Sequence, residues 1–304
     1  MAKFQVNILG CGSATPTPLH NPSCQVIDFR DNLLMIDCAE GSQAMMRRMR
    51  LKFSRLNHIF ISHMHGDHCF GLPGLLSTFA LLDKQGTVTV HLPESGYGIM
   101  KSFVDYFARD CEFSLVWDPV PAEGGRLLDT PSLTVDAFPL YHRLPCTGFI
   151  FREKPKLRHL RGDMVRFYDI PVSALQAIKE GADWTAPDGT TVPNAALTTD
   201  ADPAVSYAYC SDTMFDEHVA EAVRGVDVLY HEATYGEEHA DAAARRGHST
   251  ALQAAQIARM AGVGKLVIGH YSKRYTDIEV LAAEARRAFD VVIAADEGMK
   301  IDLL

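Results

Sequence analysis

The chain has 304 residues, 47% of them hydrophobic and 22% charged, enough apolar material for one large core or two modest ones. A net charge of -9 argues against a surface coated in nucleic acid but leaves room for a local basic patch, and no apolar run approaches the length of a membrane span. Cys11, Cys24, Cys38, Cys69, Cys111, Cys146 and Cys210 are odd in number, scattered and without CxxC spacing, so they do not read as a disulfide framework and a reducing compartment is expected. The opening MAKFQVNILG lacks the apolar stretch of a signal peptide, and the expected location is the cytoplasm.

Short β-rich runs dominate the first half: FQVNIL (4–9), CQVIDF (24–29), LLMID (33–37), NHIFIS (57–62), TVTVHL (87–92), LTVDAF (133–138) and TGFIFR (147–152). The second half adds VSYAYC (205–210), VDVLYH (226–231), KLVIGH (265–270) and VVIAA (291–295). Between them the spacing predicts helices in GLLSTFALL (74–82), in ALQAAQIARMAG (251–262) with Ser249 or Thr250 as cap, and in DIEVLAAEARRAF (277–289). Residues 152–166, REKPKLRHLRGDMVR, carry six Lys/Arg against two acids, and the turn-rich WTAPDGTTVPN follows at 184–194; together they read as an insertion. A second basic run, MRRMRLKFSR (46–55), falls on a helix and its exit, where a solvated face is the ordinary explanation.

Position carries the functional information. FIS ends in His63, DAFPLY in His142, YAYCS in Asp212, VLY in His231 and Glu232, VIG in His270, and VVIAA in Asp296. In layered α/β proteins, sites gather past the carboxyl ends of strands, where loops converge on one edge. The densest of these positions is HMHGDH (63–68): His63, His65 and His68 offer imidazole nitrogen and Asp67 a carboxylate. Nitrogen and oxygen donors without thiolate suit Zn²⁺, and also Mn²⁺ or Fe. Four such groups in six residues crowd a single tetrahedral ion, so two metals are expected.

This HxHxDH array resembles the signature of the metallo-β-lactamase fold, and the resemblance spans nearly the whole chain. It implies an α/β architecture, an αββα sandwich of two mixed β-sheets flanked by helices, as a single domain over 1–304 with an inserted arm at about 153–195. LGCGSATPTP (9–18), DCAEGSQ (37–43, where the branch has DCGEGTQ), HMHGDHCFGLPGLL (63–76), HEAT (231–234) and HST (248–250) resemble its ribonuclease Z branch. The resemblance implies a zinc endoribonuclease that removes the 3′ trailer from precursor tRNA, with two Zn²⁺ per subunit and Mn²⁺ as a substitute. His63, His65 and His142 would hold one ion, Asp67, His68 and His270 the other, and Asp212 would bridge both. Four positive charges then exceed what the aspartates neutralise and would meet a phosphodiester. His248 is the candidate acid for the leaving group, oriented by Glu232, with Asp67 implied as proton acceptor; helix capping is the structural alternative for His248. His231 reads as structural, and Asp37 as a brace of the metal loop. Asp296 has no matching ligand role.

The insertion corresponds to the branch's exosite arm, with Lys154, Lys156, Arg158, Arg161 and Arg166 as expected RNA contacts. The usual arm carries a GPL-type stretch, whereas this chain has DIPVSALQAIKEGADW (169–184). Homodimers, in which one subunit's arm serves the other's site, are implied by the family alone. Two other readings compete: a phosphodiesterase of the same fold acting on a small molecule such as a cyclic nucleotide, and a non-enzymatic nucleic-acid-binding scaffold. The arm speaks against the first and the complete ligand set against the second.

Overall fold

The computed structural model describes residues 4–108 and 112–303; residues 1–3, 109–111 (Cys111 among them) and 304 lie outside the described residues. Two seven-stranded mixed sheets form its frame. The first runs Lys300–Asp302, Phe4–Gly10, Cys24–Phe29, Asn32–Ile36, Leu56–Phe60, Thr87–Pro93, Ser114–Val120. The second runs Val292–Ala294, Lys265–Gly269, Val228–Glu232, Ser206–Cys210, Cys146–Glu153, Leu133–Leu140, Gly125–Asp129. Each sheet is antiparallel on one side and parallel on the other.

Strands buried on both faces read as continuous apolar runs rather than as alternation. In NLLMI, Leu34 and Ile36 join the core between the sheets, while Leu33 and Met35 face the outer helices. That inter-sheet core is sealed by aromatic contacts across the sandwich, with Phe60 5.5 Å from both Phe149 and Phe151. Helices Leu72–Leu81 and Glu94–Phe107 cover the first sheet, burying Leu75, Leu76, Phe79, Met100 and Val104. Helix Ala251–Ala261 covers the second with an alanine-rich face, and Thr250 starts it through a capping box with Gln253.

The eleven strand runs all appear as strands, with boundaries shifted by a residue or two. Edge strands Ser114–Val120 and Gly125–Asp129 are not marked in the sequence because they are half exposed, and the first carries Pro119. Helix Glu94–Phe107 is not marked because aromatic residues also lie on its outer face. The helix expected over 277–289 is shorter, Glu279–Ala285.

Residues 154–205 connect two adjacent antiparallel strands, Cys146–Glu153 and Ser206–Cys210. Their base is a two-stranded ladder, His159 opposite Thr199 and Leu160 opposite Thr198. Beyond it, helices Gly162–Phe167 and Val172–Lys179 and a small hairpin enclose a separate apolar cluster of Ile170, Ile178, Val192 and Leu197.

Candidate metal centre

Strand direction builds the site. Strands Asn32–Ile36 and Leu56–Phe60 run parallel, as do Ser206–Cys210, Val228–Glu232 and Lys265–Gly269; two antiparallel steps bring Leu133–Leu140 into line with them. The carboxyl ends therefore share one edge and deliver Asp37, His63, His142, Asp212, Glu232 and His270 to it. Asp37 and His270 both adopt left-handed backbone, at φ 54° and 61°, a strained conformation for non-glycine residues that recurs at functional sites.

Donor atoms converge in two groups around Asp212. In the first, His63 Nε2 lies 2.9 Å from His65 Nδ1, and His142 Nε2 lies 3.3 Å from that same nitrogen. Asp212 Oδ2 is 3.6 Å from His63 Nε2 and 3.8 Å from His142 Nε2. In the second, His68 Nε2 and His270 Nε2 are 3.3 Å apart, with Asp67 Oδ2 3.7 and 3.6 Å from them. Asp212 Oδ1 completes it, 3.4 Å from His68 and 3.1 Å from His270. Ligands ~2.0–2.1 Å from a tetrahedral Zn²⁺ lie ~3.3–3.4 Å apart, and the separations in both groups scatter around that edge length, from 2.9 to 3.8 Å. Asp212 Oδ1 is buried without a hydrogen-bond donor among the described residues, a costly state that a cation would relieve. The donor set thus fits two divalent cations.

Outer groups fix each ring. Asp37 lies 2.7 Å from His68 Nδ1 and also accepts from Ser62 N and Oγ and from Tyr209 Oη. His142 Nδ1 donates to Gly247 O at 2.7 Å, and His270 Nδ1 donates to Thr234 Oγ1 at 2.8 Å. These contacts leave the opposite nitrogen of each ring free for a cation. Burial pushes His63, His65 and His142 down from the usual imidazole range, keeping their lone pairs available. His68 behaves differently. Burial lowers it, but Asp212 and Asp37 outweigh that and raise it well above the usual range, so a proton competes with the cation for Nε2.

Glu232 is buried and accepts from Thr213 N, Ser249 N, Thr234 N, Thr234 Oγ1 and His248 Nδ1, the last at 2.9 Å. His248 Nδ1 lies 3.9 Å from Asp212 Oδ2. Burial alone would lower His248, but Glu232 and Asp212 raise it to about 9. The helix after His248 is capped by Thr250, so the capping alternative for His248 fails. His231 is buried within its strand, with Nδ1 bonded to Glu232 O, away from both donor groups.

The centre opens into a cavity of about 830 Å³ whose wall carries four cations that no sequence pattern singles out: Arg143, Arg246, Lys273 and Arg274. Each sits within four positions of His142, His248 or His270, beside a site residue in the chain. Phe70, 71% exposed, stands at the same wall. Gly247 is held at φ 77°, and a Cβ there would stand 2.8 Å from His142 Nδ1. Gly247→Ala is therefore expected to weaken metal binding by the group of His63, His65 and His142 by about 10- to 100-fold, measured by competition with a chelating dye.

The five cations expected to contact RNA separate in the structure. Lys154 pairs with Asp129, Lys156 with Glu153 at 2.9 Å, and Arg158 with Asp200 at 2.8 Å, all near the base of the segment 154–205. Arg161 and Arg166 are exposed farther out, Arg161 3.6 Å from Asp163.

A family model described as Anti-Pycsar protein Apyc1 matches residues 4–97. The Ribonuclease Z of Parabacteroides distasonis is 48% identical over 304 residues, covering 100% of both chains. Among solved structures, human tRNase Z, short form, superposes with a TM-score of 0.71 at 24% identity over 99% of both chains. The metallo-β-lactamase fold protein YhfI from Bacillus subtilis does so at 0.70 and 17% identity, again over 99% of both. With a two-sheet sandwich of this fold and near-half identity from end to end, the chain belongs to the ribonuclease Z family.

Proposed function

We propose that this protein is a zinc-dependent endoribonuclease that removes the 3′ trailer of precursor tRNA by two-metal phosphodiester hydrolysis. The observation that carries the reading is Asp212, with one carboxylate oxygen turned to each of two nitrogen-rich pockets beneath a cation-lined cavity. His63, His65 and His142 would hold one ion and Asp67, His68 and His270 the other. Two divalent ions held there would supply Lewis-acid stabilisation to the phosphoryl oxygens and would lower the pKa of a bound water toward neutrality.

The chain's own groups do the rest. Arg143, Arg246, Lys273 and Arg274 neutralise the phosphates flanking the cut. Phe70 offers a face on which an unpaired base stacks. Asp67 is held ionised: burial opposes its charge, but His270 and His68 outweigh burial and keep it below the usual carboxylate range. Ala14 N donates to its Oδ2 at 2.6 Å. A carboxylate this acidic orients water better than it accepts a proton.

His248, kept protonated by Glu232, delivers the proton to the departing ribose oxygen. His248→Ala is expected to lower kcat on precursor tRNA by about 10²–10⁴-fold with little change in KM. Bis-p-nitrophenyl phosphate, whose leaving group needs no proton, should be spared. An acid must be protonated, so wild-type kcat falls as pH rises through the raised His248 value, and the variant loses that limb. Equal losses on both substrates would contradict the assignment.

Residues 153–195 serve in this proposal as the exosite arm of the single domain. The separate apolar cluster and ladder base support it. Arg161 and Arg166 are the phosphate contacts, while Lys154, Lys156 and Arg158 brace the base. A homodimer is supported by the exposed Ile99, Phe103 and Phe107 on helix Glu94–Phe107. No helix among the described residues is long and apolar enough to cross a membrane. A cytoplasmic location is proposed on the buried free thiols Cys11, Cys24, Cys38, Cys69, Cys146 and Cys210.

The test is cleavage of an end-labelled precursor tRNA with zinc or manganese. A single cut at the 3′ side, lost in His65→Ala, is expected. No cut, with bis-p-nitrophenyl phosphate still hydrolysed, would overturn the tRNA reading in favour of a small phosphodiester.

A further inference from the structure

A second group of side chains of metal-ligating type lies apart from the candidate metal centre, where the turn after strand Phe4–Gly10 meets the loop after strand Val292–Ala294. Cys11 and His20 come from the turn, Asp296 and Glu297 from the loop. Cys11 Sγ lies 3.5 Å from His20 Nδ1 and 3.6 Å from Glu297 Oε2. His20 Nδ1 lies 3.7 Å from Asp296 Oδ1 and 2.8 Å from Glu297 Oε2. We infer that Cys11, His20, Asp296 and Glu297 form a third metal site, one that takes a thiophilic divalent cation of the zinc class and pins the N-terminal turn to the C-terminal loop.

Chemistry and geometry agree on this. Zn–S bonds of ~2.3 Å and Zn–N or Zn–O bonds of ~2.0–2.2 Å give tetrahedral edges of ~3.3–3.6 Å. The two sulfur distances, 3.5 and 3.6 Å, lie in that range, and the 3.7 Å His20–Asp296 separation lies just beyond it. The fourth is a His20–Glu297 hydrogen bond that a cation would replace, opening it by roughly half an ångström. Without the cation Cys11 Sγ donates to Glu297 Oε2, a contact that a thiolate–metal bond would likewise replace. Thiolate, imidazole and carboxylate together favour zinc, cobalt or cadmium over magnesium or calcium.

The group is built to stay in place. Glu297 Oε1 accepts from Asn21 N at 2.7 Å, which orients the carboxylate. The Cys11 carbonyl accepts from Tyr271 N at 2.9 Å, and His20 N donates to Thr17 Oγ1, also at 2.9 Å. Cys11 is fully buried, His20 and Glu297 are 12% exposed, and Asp296 is 60% exposed, so a cation enters from the Asp296 side. Burial, then the charges of Glu297 and Asp296, raise the Cys11 thiol; a cation there would relieve that field and release the proton.

The turn fastened by this site contains Ala14, whose N–H donates to Asp67 in the catalytic centre. A bound ion would therefore stiffen one wall of the active-site cavity without touching substrate.

The catalytic donor set contains no thiolate, which provides a clean readout. Metal-free full-length protein saturated with Co²⁺ is expected to show a thiolate-to-cobalt charge-transfer band with the intensity of one thiolate-bound ion per chain, and elemental analysis of the zinc form should approach three ions per chain. Cys11→Ser should abolish the band and remove one ion, leaving the other two. Cys69→Ser and Cys111→Ser should keep it. Asp212→Ala should retain the band and a single ion. Should Cys11→Ser fail to fold, His20→Gln provides the same test by weakening the cobalt affinity read from the band. Absence of the band in the wild type, or its survival in Cys11→Ser, would overturn the proposal.

Discussion

Asp212→Ala is expected to lose both catalytic ions and to lower kcat/KM on precursor tRNA by at least about a thousandfold, because the Lewis-acid contribution removed is worth several kcal/mol and each 1.36 kcal/mol is tenfold in rate. The reason is geometric. Oδ2 closes the group made by His63, His65 and His142, and Oδ1 closes the group made by Asp67, His68 and His270. One truncation therefore removes a donor from each pocket and the only charge they share. Asp212→Asn keeps the shape but brings a neutral amide to one pocket, so one ion should be lost before the other. The fold should persist, since Asp37, Glu232, Gly247 and Thr234 anchor the outer atoms of the site without Asp212. Circular dichroism and precursor tRNA binding should stay near wild type. Retention of both catalytic ions with ordinary turnover would refute the assignment.

The centre is legible in the sequence because strand ends are legible. An apolar run that stops at His, Asp or Glu marks a carboxyl end, and mixed sheets bring such ends to one edge. His63, His142, Asp212 and His270 are assembled in that way from distant parts of the chain, and the resemblance supplies their partition between two ions. The cavity cations are hidden. Arg143, Arg246, Lys273 and Arg274 sit in loops or at a helix end, without periodicity, and only the folded edge shows that they face the same cavity. The charge excess along 152–166 overstates the free cations for a related reason: Asp129 and Asp200, which neutralise Lys154 and Arg158, lie outside the run. Asp296 looks idle beside the catalytic ligands. Its companions Cys11 and His20 lie at the opposite end of the chain, a separation across which no spacing rule operates.

Replacing residues 161–197 with a short Gly-Ser turn should separate substrate grip from chemistry. The segment's apolar cluster is distinct from the two large cores, and the paired residues His159–Leu160 and Thr198–Thr199 bring the cut ends together. Metal content and thermal unfolding of the remainder should therefore change little, and bis-p-nitrophenyl phosphate should be hydrolysed at close to the wild-type rate. On precursor tRNA, KM should rise by about tenfold or more, and the slope of log affinity against log salt should flatten by about 0.7–0.9 for each phosphate that the arm no longer neutralises. Arg161→Ala with Arg166→Ala should reproduce part of both changes, whereas Lys156→Ala, whose charge is already met by Glu153, should act mainly on stability. The pattern also differs from that of His248→Ala, which spares the same small substrate but acts on kcat. An arm that contributes only structure would slow both substrates alike and leave the salt dependence untouched; that outcome would remove the exosite from the mechanism while leaving the metal centre as drawn.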